Sequence, residues 1–455
     1  MLTPAADDGL FDDLRAREFA RLDEQGIAYL DHTGAALYGR SQALAYAERL
    51  GRGVFGNPHS EHAPSKASEA HLDAARAATL AFLAADPDLY TVCFTANATA
   101  AIKLVGESYP FSPNRALVVT ADNHNSVNGM RLFAARRGAA THVLPLASNL
   151  SLHEPEAHLD GIAARSEGGL FAFPAQSNFA GSRHPMSLVE GAQARGFDVL
   201  IDAAGGGPAT SLSLRNTPAD FVALSFYKLF GLPTGVGALV ARRTALERLE
   251  RPWFAGGAVH FVSVAHARHR LIDGHAGFED GTPNFLDIAA LQDSFEFLAR
   301  IPRQALQARL ERTTRAAVTA LRALRHPDGA PQVRLYGTPD APGHTGCVAF
   351  NLLTPEGDVV AYQAVEAWTR EAGVALRGGC FCNPGAAERA FDFDRHDLPA
   401  ALDALDDDGF TPERLSQALG PQATVGALRL SVGPATNADD IRRAIEALAT
   451  LRYVS

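Results

Sequence analysis

Short apolar runs rich in β-favouring residues alternate along most of the chain with longer segments of helical periodicity, and this alternation restricts the fold more than any other feature. TVCFT, RALVVT, THVLPL, FDVLID and FVALSFY are apolar on both sides, as strands of a parallel sheet covered on both faces are. The segments between them are long enough for crossover helices. From Ser65, SKASEAHLDAARAATLAFLAAD carries apolar residues at helical spacing behind a serine cap. A doubly wound α/β domain over 31–290 is expected. A second unit over 291–455 is expected from the helical stretches FLDIAALQDSFEFLARI and RQALQARLERTTRAAVTALRAL, the strand candidate GCVAFNLL and the helix ADDIRRAIEALATL. Residues 1–30 are expected to pack with that smaller α/β domain. Two domains also suit the length, because 455 residues exceed the roughly 250–300 at which one core stops growing.

Charge and cysteine usage narrow the function. Lys and Arg total 41 against 51 Asp and Glu, a net charge of −10 that works against binding a phosphate backbone, so nucleic acid is not an expected partner. No apolar run reaches the roughly 18 residues that span a bilayer. The opening MLTPAADDGLFDDLR is acidic where a secretion signal is basic and then apolar, so a cytoplasmic protein without a membrane partner is expected. The four cysteines, Cys93, Cys347, Cys380 and Cys382, then read as buried apolar residues, metal ligands or reactive thiols, not as a disulfide framework.

The sharpest local pattern is SFYKLFGLPTGVGALVARR, which sets Lys228 at the end of a β-rich run and before a glycine-rich turn. A lysine there either snorkels to solvent or, where water is excluded, loses its proton and attacks an aldehyde to form a Schiff base. An aldehyde cofactor that also needs anchoring is pyridoxal 5'-phosphate, and the rest of the sequence offers groups to hold one. In TANATAAIKLVGE, small residues including Ala98, and Thr99, stand immediately before a helix, where N–H groups and the helix dipole favour a phosphate, although a Thr there is also an ordinary cap. Ser225 offers a further hydroxyl or simple packing. Asp202 ends the strand FDVLID, where it caps a turn or keeps a pyridine nitrogen protonated. His124 follows RALVVTA as a structural imidazole or as one that stacks on a ring and moves protons. Asn178 is a turn residue or a donor to a ring oxygen.

LRGGCFCNPG places Cys380 and Cys382 in a Gly/Pro-rich loop, with Arg377 five residues before Cys382. Packing, a metal and a nucleophilic thiol are the readings; no second pair has zinc spacing, and a nearby Arg favours a thiolate. Arg429, on the strand candidate ALRLS, makes a surface ion pair or clamps a carboxylate with two hydrogen bonds.

Ten segments from Tyr29 to Pro434, YLDHTGAAL, GNPHS, TANATAAIKL, DNHNSV, FPAQSNFAG, LIDAAG, SFYKLFGLPTGVGALV, FEDGTPNF, LRGGCFCNPG and LRLSVGP, together resemble the class V aminotransferases, fold type I pyridoxal-phosphate enzymes. Within them the chain is most similar to cysteine desulfurases, in particular to the desulfurase domain of molybdenum cofactor sulfurases. The resemblance implies that Lys228 is the Schiff-base lysine, Asp202 the pyridine partner, His124 the stacking ring and Asn178 the donor to the ring oxygen. It implies phosphate contacts from Ala98, Thr99 and Ser225, and from Gly281 and Thr282 of a neighbouring subunit, hence a homodimer with shared sites. Arg429 and Arg377 then bind substrate and Cys382 is the nucleophile. The implied reaction takes sulfur from L-cysteine, giving L-alanine and a Cys382 persulfide for an acceptor protein or cofactor. Two other readings use the same parts: a class V lyase, epimerase or aminotransferase that does not need Cys382, and a non-catalytic sulfur carrier. The chain departs from many desulfurases in having Tyr227 before the lysine, Gly205 three residues after the aspartate, and Ala386 and Ala387 where a third cysteine stands.

Overall fold

Every second residue of the central strands falls into one of two apolar clusters, so the sheet they form is buried on both faces. Val92, Phe94, Val118, Phe171, Phe173, Val199, Ile201, Val222 and Leu224 join one cluster. Their neighbours Cys93, Leu117, Val119, Leu170, Ala172, Leu200, Phe221 and Ala223 join the other. The structure is a computed structural model that describes residues 8–207, 212–341, 344, 346–393, 398–405, 409–420 and 423–451. Its seven-stranded sheet runs in the spatial order Tyr90–Thr95, Gly237–Arg242, Phe221–Ser225, Phe197–Asp202, Gly169–Pro174, Ala116–Thr120, Thr141–Leu144. Only Gly237–Arg242 is antiparallel to its neighbours. The other six therefore end on one edge, the edge at which open α/β sheets bind ligands. This is the mostly parallel, doubly wound α/β arrangement expected from the alternation.

The helices follow from their buried faces. Ala63–Phe82 buries Ser65, Ser68, Leu72, Ala75, Thr79 and Leu80, spaced for one helical face. It begins earlier than the serine suggests, because Pro64 fits the first turn and the His62 ring, not Ser65, caps it by accepting from Ser65 N at 3.2 Å. The stretch expected as one helix after Phe285 is two, Phe285–Ala289 and Leu291–Ala299.

A four-stranded sheet in the order Val333–Leu335, Cys347–Leu352, Ala427–Ser431, Arg377–Gly379 forms the second layered unit. The helices Arg303–Ala323 and Ala438–Ala449 supply its core with Leu310, Val318, Leu321, Ile441 and Leu448. Phe11, Phe19, Leu22, Ala28 and Leu30 are buried in that same cluster. Ala28–Tyr29 pairs with Val374–Ala375, and an isolated bridge joins Asp31 to Ser431. Arg15 anchors the first helix by donating to Asp440 Oδ2 at 2.7 Å. Residues 1–7 of the expected N-terminal segment lie outside the described residues.

Candidate functional site

Five of the six co-oriented strand ends, all but that of Thr141–Leu144, supply residues around a cavity of about 400 Å³. Asp202 is the last residue of its strand and is buried, its Oδ1 accepting from Ala204 N at 2.9 Å. Ser225 ends the next strand. Lys228 lies three residues further on, just past the strand end where it was expected, in the helical turn Phe226–Phe230, because the ladder with Gly237–Arg242 stops at Ser225. Both line the cavity with Ala98, Thr99, His124, Asn178 and Asp202.

Burial lowers the pKa of the Lys228 amine; Arg429 and Arg377 push it further down, while Asp202 and Cys382 oppose them. An amine held this way is more nucleophilic near neutral pH than a surface lysine. His124 caps the turn Asn125–Asn128; its Nδ1 accepts from Ser126 N at 3.1 Å and lies 2.9 Å from Ser126 Oγ. Burial lowers its pKa, with Lys228 adding to the shift and Asp202 opposing it, which favours the neutral ring. The helix Ala98–Ser108 is capped by Asn97, whose side chain accepts from Ala100 N at 2.9 Å, so Thr99 stands inside the first turn and not before it. Its hydroxyl is 2.7 Å from Ser126 Oγ.

Asn178 lines the cavity, but its amide is engaged by the cysteine loop. Nδ2 donates to Phe381 O at 2.6 Å and Oδ1 accepts from Asn383 Nδ2 at 2.9 Å. Fully buried Asn383 also donates to Asp122 O at 2.7 Å and caps the helix Pro384–Ala390. Phe381 and Cys382 both take left-handed φ, 58° and 56°, which costs a non-glycine residue about 1–2 kcal/mol. This kink presents Cys382 exposed to solvent, with its carbonyl accepting from Asn125 N at 2.8 Å, one residue after His124. Cys380 is half-buried against an apolar cluster. Cys93 and Cys347 are buried, and burial pushes the Cys347 thiol up to about 11. No group of three or more His, Cys, Asp or Glu residues suited to a metal occurs among the described residues.

The remaining expected residues lie just outside the cavity. Arg429 and Arg377 both hydrogen-bond Asp31, and Arg429 Nη1 donates to Asn178 O at 2.8 Å. Gly281 and Thr282 line an adjoining cavity of about 310 Å³ that shares Ala96 and Gly235 with the first. Sequence reasoning passed over Gln176, Ser126, Asn383 and Asp31. All four lie in or beside motifs already singled out, but their importance depends on partners far away in the chain. Gly205 also has a steric reason. A Cβ there would stand 2.7 Å from Gln176 O, so a longer side chain does not fit without backbone movement.

Pyridoxal phosphate asks for an amine for its aldehyde, an acid for its ring nitrogen, a flat neighbour for its ring and a donor cluster for its phosphate. Lys228, Asp202, His124 and the first turn of Ala98–Ser108 with Thr99 and Ser225 match these in a cavity of ligand size. Fold and site thus define a pyridoxal-phosphate-dependent α/β enzyme. The class-V aminotransferase family model matches residues 28–443, and the chain belongs to that family. It is 37% identical over 437 residues to a molybdenum cofactor sulfurase from Solanum lycopersicum, covering 86% of this chain and 52% of that protein. It is 35% identical over 411 residues to the molybdenum cofactor sulfurase of Homo sapiens, covering 84% and 45%. The chain spans about half the length of the curated relatives it matches. In fold it is similar to a cysteine desulfurase from Thermococcus onnurineus NA1, with TM-score 0.79, 20% identity and coverage of 99% and 98%. It is also similar to the cysteine desulfurase CsdA from Escherichia coli, with TM-score 0.73, 23% identity and coverage of 96% and 97%.

Proposed function

We propose that this chain is a cysteine desulfurase, removing sulfur from L-cysteine to leave L-alanine and a persulfide on Cys382 for transfer to an acceptor. The observation that carries the reading is the position of Cys382: an exposed thiol on a kinked loop tied to the His124 turn and close enough to Lys228 to influence its amine. The similarity to molybdenum cofactor sulfurases supports it.

Pyridoxal phosphate, when bound, supplies the aldehyde that takes up the substrate amine and the ring that accepts electrons from its Cα. Asp202 would hold the proton on the pyridine nitrogen, and Thr99, Ser225 and the first turn of Ala98–Ser108 would hold the phosphate. The Lys228 amine, free while substrate occupies the site, would take the Cα proton as a general base. Arg377 and Arg429 orient the substrate carboxylate. Cys382 thiolate would then attack the substrate sulfur; the new S–S bond forms as the C–S bond breaks, the electron pair of that bond goes to Cβ, which takes up a proton, and Lys228 would return a proton to Cα to leave alanine. The thiol pair at 380–382 thus has unequal roles, with Cys382 the nucleophile and Cys380 packed.

The same reading includes a homodimer in the cytoplasm, in which Gly281 and Thr282 complete the phosphate site of the other subunit. Exposed Trp253, Phe254, Phe261 and Val264 support a covered surface close to that segment. It also includes the division into 1–30, 31–290 and 291–455, supported by the two separate cores.

Incubation of the purified protein with L-cysteine and a thiol reductant tests the reaction. Alanine and sulfide should appear in equal amounts and both should fall at least about 100-fold in Cys382→Ala. Alanine production that survives this substitution would remove the thiol from the mechanism and favour another class V reaction.

A further inference from the structure

Asp31 lies between the two guanidiniums assigned to substrate. Its carboxylate accepts from Arg377 Nε at 3.0 and 2.9 Å, from Arg377 Nη2 at 2.7 Å and from Arg429 Nη2 at 3.0 Å. Asp31 and Arg429 are buried, whereas the Arg377 side chain is 46% exposed. The backbone is shaped around the pair: a Cβ on Gly34 would stand 2.5 Å from Asp31 Oδ2 and 2.6 Å from Arg377 Nη2. Arg429 Nη1 also donates to the backbone oxygen of Asn178, a residue that lines the cavity, so the trio sits directly beside it.

Its charge can be counted. Two guanidiniums and one carboxylate leave one positive charge. Among the titratable groups packed around them, two tyrosines and a histidine add none near neutral pH, because burial pushes the Tyr29 phenol up to about 12, raises that of Tyr227 and presses the His32 imidazole down to about 4. The Cys347 thiol, also beside Arg429, is pushed up to about 11 by burial. Arg15, the other cation near His32, is paired with Asp23 and Asp440. One unbalanced cation suits one carboxylate. A substrate bearing a second anionic group meets Asp31 where it would need another arginine, and a like charge placed there is repelled.

We propose that Asp31 is a built-in carboxylate that cancels one of the two arginines and restricts the site to amino acids with a single carboxylate and an uncharged side chain, excluding acidic ones such as aspartate or cysteine sulfinate. The proposal rests on the reading of the cavity as an amino-acid site.

It is tested by titrating the cofactor-loaded protein at low salt with L-alanine and with L-aspartate, following the absorbance of the bound pyridoxal group. The wild type should bind alanine at least about tenfold more tightly than aspartate, and Asp31→Asn should tighten aspartate about tenfold while moving alanine less than about threefold. The double variant Asp31→Asn with Arg377→Gln returns the count to one and should restore the preference. Arg377→Gln alone, at a half-exposed position, takes the count to zero and should weaken alanine about tenfold, an outcome that can be read even where Asp31→Asn fails to fold. An unchanged alanine-to-aspartate ratio in Asp31→Asn, or equal weakening of both ligands, would overturn the proposal and reduce Asp31 to a support for Arg429. Unchanged alanine binding in Arg377→Gln would also overturn it. A wild type that responds to neither amino acid would overturn the amino-acid reading itself, a result distinct from an unchanged ratio.

Discussion

Lys228 shows how burial makes chemistry from an ordinary side chain. The amine loses solvation in the turn Phe226–Phe230, and two arginines outside the cavity push its pKa the same way. Borohydride treatment of protein supplied with pyridoxal phosphate should therefore fix one pyridoxyl group on Lys228, found by peptide mass. Lys228→Ala should carry none and lose at least about 1,000-fold in alanine release. His32 pays the same desolvation cost without a partner: both ring nitrogens lack hydrogen bonds and its pKa falls from 6.5 to about 4. The unfolded chain takes up this proton near pH 6.5 and the folded one not until about 4, so the associated stability is complete above pH 6.5 and is lost as pH falls towards 4. Urea unfolding of the wild type should weaken over that window by about 2–3 kcal/mol more than that of His32→Gln. Lys228, Asp202 and His124 were legible in the sequence as cofactor candidates because each ends or closely follows a recognisable strand. Asp31 was not, since its partners lie some 350–400 residues away in the chain.

At the scale of elements, the cysteine loop and the strand-end turns depend on single fitted residues. Asn383 links the loop to Asp122 and Asn178 while capping the helix Pro384–Ala390. Asn383→Ala should cost roughly 2–3 kcal/mol in unfolding. Sulfide release should fall at least about tenfold while cofactor loading stays near that of the wild type, because the change loosens the thiol and not the lysine. Gly205 is the second such residue: Gly205→Ala forces a contact with the carbonyl of Gln176 and should lower stability by about 1–3 kcal/mol in a thermal or urea melt. Strands and long helices were readable because their periodicity is local. The His62 cap, the helical turn at Lys228 and the split after Phe285 were not, because each follows from where a neighbouring ladder or packed face ends.

For the whole molecule, the two cores, built around a seven-stranded and a four-stranded sheet, place Arg377, Cys382 and Arg429 opposite the strand ends that hold Asp202 and Lys228. The proposed dimer adds a prediction at this scale. Mixed subunits of Lys228→Ala and Thr282→Asp, each inactive alone, should recover about a quarter of wild-type activity after unfolding and refolding together, since half of the dimers carry one intact site of two. Activity that stays at the level of the separate variants would place Thr282 in its own subunit's site.

The chain by itself determined the layered α/β architecture and the cofactor class, and it offered the lysine and aspartate proposed to serve that cofactor, because strand periodicity and strand-end chemistry are written over a few consecutive residues. Only the tertiary structure decided how the arginines are partnered, how the cysteine loop is held, and that Asn178 serves that loop through its side chain. Electrostatic balance and hydrogen-bond satisfaction are sums over groups brought together by folding, and no local pattern contains such a sum.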